Sequence, residues 1–203
     1  MTVLKGCGMI AVCLGFSLLM VTVAGAELAC SLGASSYYDP GLDRNASPDA
    51  LRIARNVAGV LCSGACNVAL IRNPTAGNVL TAIAPDGTAK VVYNPQFLTS
   101  VDKAIGDGAI FGIFAHEVGH IIDGRSNVAW MPGSWDRELR ADAWAGCALA
   151  RATMPDDKTT AALRAILRYP SPAHPARSLR VPALELGYHS CGGTGNLPGQ
   201  ETD

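Results

Sequence analysis

Residues 109–123 read AIFGIFAHEVGHIID, and the shape of this stretch governs what can be assembled around it. Its apolar residues run on without a strand's alternation, and Gly124 stands where a left-handed C-cap would close a helix. The pattern predicts one helix from about Gly108 to Asp123. Within it His116 and His120 are four residues apart, so at 3.6 residues per turn they leave one face about 40° apart and converge. Two imidazoles so held suit a single metal ion. Glu117 projects to their side, where it can take a proton from water without binding metal itself. Gly119 lets a neighbouring strand or a substrate backbone come close. The chain has only 4 histidines, so this spacing rarely arises by accident. An apolar helix that also carries His, Glu and His needs a partner for each buried polar group, and a metal meets that need.

Zinc catalysis asks for a third protein ligand and one position left open. The metzincin continuation would put a glycine and a third histidine where Asp123 and Ser126 stand, so it fails. Cys62 or Cys66 would serve as the third ligand of a peptide deformylase, but deformylation is a cytosolic task and this chain carries an export signal. A second standard continuation supplies a carboxylate from a following helix, and SWDRELRADAWAGCALA at 134–150, with Ser134 as its cap, reads as such a helix. Glu138 and Asp142 lie four apart on one of its faces.

HEVGH at 116–120 followed by ELRADAWAG at 138–146 resembles the gluzincin family that includes the CAAX prenyl proteases and the bacterial heat-shock and periplasmic metalloproteases. The resemblance implies an α+β, zincin-like fold: a small antiparallel or mixed sheet packed on an active-site helix, with further helices C-terminal to it. It implies one Zn2+ ion held by His116, His120 and Glu138, with Glu117 as the catalytic base. Asp142 would stand behind the metal, accepting the ring N–H of His116 and fixing its tautomer. Upstream, NVLTAIAPDGTAKVVYNPQFL at 78–98 is similar to the family's hairpin beside the active-site helix. Ala89 to Tyr93 is then the candidate edge strand for holding an extended peptide. Downstream, SPAHPARSLR at 171–180 looks like the family's HPxxxxR segment. That implies a catalytic hydrogen bond from His174 to the oxyanion, with Arg180 pairing a carboxylate. The resemblance spans roughly residues 47–187. Pro182 departs from it, interrupting the last helix, and His189 lies beyond it.

The rest of the chain agrees with an exported enzyme. Lys5, an apolar run from Met9 to Val23, and Ala24-Gly25-Ala26 form a signal peptide over residues 1–26. The rival reading is an uncleaved N-terminal membrane anchor, since the run nears the ~20 residues that span a bilayer. No later stretch is apolar for long enough to cross. Residues 27–46 make a polar lead-in, 47–191 the metallopeptidase domain, and 192–203 a disordered tail. Inside the domain, Ser47 and Pro48 start a helix to about Leu61, burying Leu51, Ala54, Val57, Ala58 and Leu61. Strands follow at 68–71, 79–84 and 89–93, the last two as a hairpin. Export permits disulfides. Cys30, Cys62, Cys66, Cys147 and Cys191 remain outside the leader; the expected pairs are Cys62 with Cys66 and Cys147 with Cys191, though sequence leaves the connectivity open.

At 203 residues, with 49% hydrophobic and 16% charged side chains and a net charge of -1, the chain suits one domain with its own core and offers no basic face to nucleic acid. Its expected partner is a polypeptide substrate, and its expected function is zinc-dependent endopeptidase hydrolysis. The alternative is a zinc-binding, chaperone-like or protein-binding module with little peptidase activity. His and carboxylate ligands favour zinc while leaving manganese and cobalt open.

Overall fold

In the computed structural model, which describes residues 27–31, 38–62, 66, 68–84, 86–126, 128–168 and 174–198, helix α1 (Pro48–Cys62) begins at the predicted cap. Ser47 Oγ accepts the Ala50 N–H at 3.3 Å. Its buried face is Ala50, Ile53, Val57 and Leu61, rotated from the predicted one so that Leu51, Ala54 and Ala58 are only partly buried. The proposed signal peptide lies outside the described residues.

Among the described residues, five strands form one mixed sheet: β1 (Glu27–Ser31), β2 (Arg44–Asn45), β3 (Ala69–Arg72), β4 (Val79–Ile83) and β5 (Ala89–Tyr93), in the order β1-β4-β5-β3-β2. β4 and β5 make the predicted antiparallel hairpin, and β3 joins β5 in parallel. β5 is therefore an interior strand. The expectation that Ala89 to Tyr93 forms a free edge is overturned, because β4 and β3 take up its backbone groups on both sides. The edges are β1 and β2, and both come from the segment read as a polar lead-in. That segment is pinned by donors from outside it. Asn73 Nδ2 donates to the Asp39 carbonyl at 2.7 Å and to Asp43 Oδ1 at 2.8 Å, and Lys90 Nζ donates to Asp43 Oδ2 at 2.6 Å.

The central strands β4 and β5 are buried on both faces, which explains their near-continuous apolar sequences. Leu70, Val79, Val91 and Tyr93 face the main core, while Leu80, Ala82 and Val92 cover a smaller one with Tyr38 and Ala76. Helix α2 (Pro95–Ile105) is capped by Asn94, whose side chain accepts from the Gln96 and Phe97 N–H groups. Helix α3 (Asp107–Asp123) then runs through the middle of the molecule, buried at every residue from Gly108 to Ile122. A helix apolar all round has to be enclosed on all sides; here α1, α2, β4 and two later helices, α4 (Arg137–Ala152) and α5 (Asp156–Arg168), enclose it. Helix α6 (Arg177–Ser190) packs on α4 and continues through Pro182 rather than stopping there.

Two caps differ from expectation. Gly124 follows α3 in ordinary right-handed conformation, φ -65° and ψ -12°. The cap of α4 is Asp136, which accepts the Leu139 N–H at 2.9 Å, not Ser134. Disulfides join Cys62 to Cys66 and Cys147 to Cys191, as an oxidising compartment allows. Disorder was expected from Gly192, yet Leu197 is buried in the main core. Among the described residues, no helix is long and apolar enough to cross a membrane.

Candidate metal centre

Helix α3 presents His116 and His120 from one face, and α4 lies against that face closely enough to bring Glu138 between them. Gly119 makes the approach possible: a Cβ there would stand 2.9 Å from the Ala141 carbonyl oxygen and 3.0 Å from Trp144 Cβ. The backbone that Gly119 admits is thus a neighbouring helix, not a strand or a substrate. Glu138 sits in the first turn of α4, where the helix dipole favours a carboxylate. His174 enters from the segment just before α6.

The side chains meet around the Glu138 carboxylate. Its Oε2 lies 3.3 Å from His116 Nε2 and 2.9 Å from His174 Nε2, and its Oε1 lies 3.6 Å from His120 Nε2. His116, Glu138 and His174 form a buried group whose ligand atoms lie within 4.8 Å of one another, able to hold a metal ion. His120 stands at the edge of that group, its ring 4.8 Å from the His116 ring. Burial, and then the neighbouring His116, push the His120 pKa down to about 3, so its imidazole is neutral. Neither of its ring nitrogens has a hydrogen-bond partner among the described residues. A buried neutral imidazole without partners carries a desolvation cost that a cation at Nε2 would remove. The donor set of imidazole nitrogens and one carboxylate suits zinc or a similar divalent ion. Burial alone would raise the Glu138 pKa, but the His116 and His174 imidazoles beside it hold it far below the usual carboxylate range. It is an anion ready to ligate.

A second layer fixes the first. Asp142, fully buried, lies 2.9 Å from His116 Nδ1. Burial opposes its charge, yet the hydrogen bonds with Arg180 and His116 keep its pKa lowered. An ionised carboxylate can only accept, so His116 carries its proton on Nδ1 and turns the Nε2 lone pair to the centre. Arg180, 2% exposed, grips Asp142 with two bonds, Nε to Oδ2 at 2.7 Å and Nη2 to Oδ1 at 2.8 Å, and its Nη1 donates to the Ile166 carbonyl. Three helices are thereby tied to one imidazole.

Glu117 lies beside the cluster, fully buried, its pKa pushed up to about 8 by burial against the lowering effect of His116. The Thr81 hydroxyl lies 2.7 Å from Glu117 Oε2 and 2.9 Å from the Glu117 carbonyl, while Oε1 has no hydrogen-bond partner among the described residues.

Every residue singled out from the sequence, namely His116, Glu117, His120, Glu138, Asp142, His174 and Arg180, is buried in this one region. Thr81 joins them unannounced by any motif. The only trace it leaves is a hydroxyl on the inward-facing register of VLTAI, at 79–83, between Val79 and Ile83. His189 lies apart, exposed and 3.1 Å from the Gly193 carbonyl. A cavity of about 350 Å³ lined by Ile105, Asp157, Arg164, Arg168 and Arg177, among others, contains none of the site's side chains. No protein-family model matches the chain, and no curated protein or solved structure matches it.

Proposed function

We propose that this chain is an exported, zinc-dependent metalloendopeptidase of the gluzincin type, built on a zincin-like arrangement of sheet and active-site helix. One observation carries the reading: imidazole nitrogens from α3 and from the segment before α6 converge on the Glu138 carboxylate of α4, with Glu117 beside them. His116, His120 and Glu138 hold the ion. When bound, the ion supplies Lewis-acid polarisation of a scissile carbonyl and acidifies water. Glu117 accepts the proton of the attacking water at Oε1, which has no hydrogen-bond partner among the described residues, and passes it to the leaving amine. Its pKa, pushed up by burial, suits a group that must both take and give a proton. His174, set against Glu138, donates to the oxyanion that develops on the substrate carbonyl. Asp142 and Arg180 keep His116 oriented throughout.

The test is elemental analysis of the purified protein together with hydrolysis of unfolded casein, with and without a chelator. One equivalent of zinc and chelator-sensitive cleavage are expected. Glu117→Gln should keep its zinc and lose hydrolysis by about 10²-fold or more; full activity in that variant would remove Glu117 from its role. Casein that is bound but left uncut by the zinc-loaded wild type would instead identify a protein-binding module.

A further inference from the structure

We infer that Thr81 is the positioning residue for Glu117: its hydroxyl anchors one carboxylate oxygen and thereby decides which oxygen receives the proton of water. The inference rests on the peptidase reading above.

Thr81 is fully buried in the middle of β4, on the register that faces α3. Its neighbours two residues away on that face are Val79 and Ile83, and the core around them is apolar. A valine would fill the same space with the same branched shape, so packing gives no reason for a hydroxyl. The hydroxyl has a specific use. Its oxygen lies 2.7 Å from Glu117 Oε2 and 2.9 Å from the Glu117 main-chain carbonyl. One hydroxyl carries one proton, and the shorter, charge-assisted contact is the stronger acceptor when Glu117 is ionised. The two oxygens of the carboxylate are thus made unequal. Oε2 is tied to the sheet, whereas Oε1 is equally buried and has no hydrogen-bond partner among the described residues.

A terminal carboxylate torsion is broad and nearly two-fold, so α3 alone does not fix the plane of the Glu117 carboxyl group. The strand supplies what the helix lacks. With Oε2 held, the carboxyl plane is set and the free lone pairs of Oε1 keep a constant direction relative to His116 and Glu138. A general base works only within hydrogen-bond reach of the proton it abstracts, and misplacement by about 1 Å costs on the order of 10²-fold. Among the described residues the Thr81 hydroxyl bonds only to Glu117, so it acts through Glu117.

Thr81→Val and Thr81→Ser separate this role from a packing role. Thr81→Val keeps the shape and loses the proton. With casein-derived peptide as substrate, kcat should fall by about 10–100-fold, with KM and zinc content within about twofold of wild type and a modestly lowered thermal midpoint, because buried Glu117 Oε2 loses its hydroxyl donor. Thr81→Ser keeps the hydroxyl and gives up a methyl, so it should recover most of kcat even if it is the less stable variant. Packing alone would produce the opposite order, with valine active and serine impaired. Wild-type kcat in Thr81→Val, or loss of zinc from it, would overturn the inference. If the wild type itself shows no chelator-sensitive hydrolysis, the peptidase reading fails instead. The crystal structure of Thr81→Val then decides the positioning claim alone: a reoriented Glu117 carboxyl plane upholds it, and an unmoved one overturns it.

Discussion

At the scale of single residues, the most consequential side chain after the candidate ligands is Asp142, because two neighbours depend on its charge. Arg180 is as buried as Asp142 and directs two of its donors there. Removing one member of a buried ion pair costs about 3–5 kcal/mol, since the other charge is left without compensation. Asp142→Asn keeps the shape but loses the charge, and its amide presents an N–H to one neighbour that is itself a donor. The variant should be destabilised by about that amount at neutral pH, and its metal affinity should drop by about 10–100-fold as His116 loses its fixed tautomer. The pH dependence has a definite sign. The Asp142 pKa is lowered in the folded chain, so its contribution is complete above its unfolded value near 4 and is lost as pH falls through the lower folded value. Urea unfolding at pH 7 and at pH 3 should therefore show a wide gap between wild type and variant that narrows in acid. A gap of the same width at both values would mean that Asp142 is not the charged partner.

At the scale of elements, the site depends on how closely α4 approaches α3. Gly119→Ala places a methyl group against the Ala141 backbone and Trp144 Cβ, at 2.9–3.1 Å, and backbone does not yield as a flexible side chain does. Overpacking of this kind costs about 1–3 kcal/mol. The helix that must move carries Glu138 on the turn next to Ala141, so zinc affinity should fall together with stability. Denaturant unfolding and competition with a chelator would measure the two. A stable Gly119→Ala variant with unchanged zinc affinity would show that the approach of α4 does not set the ligand geometry. Elements of this kind were legible in the sequence where their signals are local. The four-residue spacing of His116 and His120, the Ser47-Pro48 start and the turn between β4 and β5 each lie within a few residues of what they specify. Strand order lies in no such window. β5 looks like an edge until β3, some twenty residues earlier in the chain, pairs with it in parallel. β1 and β2 are hidden in polar composition because they are short and lie at the rim of the sheet. The candidate ligands could be read because imidazoles and carboxylates at helical spacing are rare together. Thr81 could not, because threonine is ordinary in a strand and its partner lies 36 residues away.

At the scale of the whole molecule, the last helix is covalently bound to the helix that carries Glu138. Cys147 lies on α4 and Cys191 directly follows α6, so this disulfide spans the same helix pair as the Arg180–Asp142 contacts. The two helices also meet backbone to backbone: a Cβ on Gly187 would collide with the Ala143 carbonyl. The bridge closes a loop of 44 residues, whereas Cys62–Cys66 closes one of 4. In the chain-entropy model the longer loop is worth about 4 kcal/mol and the shorter about 2. Replacing Cys147 and Cys191 together by alanine should thus destabilise the protein about twice as much as replacing Cys62 and Cys66. The two losses should also differ in kind. α6 carries Arg180, and the segment before it carries His174, so loosening α6 from α4 should weaken zinc binding as well as lower the thermal midpoint. The Cys62–Cys66 bridge sits at the end of α1, a helix that carries none of the candidate ligands, and its removal should lower the midpoint and leave zinc binding as it was. Thermal scans and zinc titrations of both double variants check this. Equal losses of zinc affinity in the two variants would show that the link between α4 and α6 has no special hold on the metal centre.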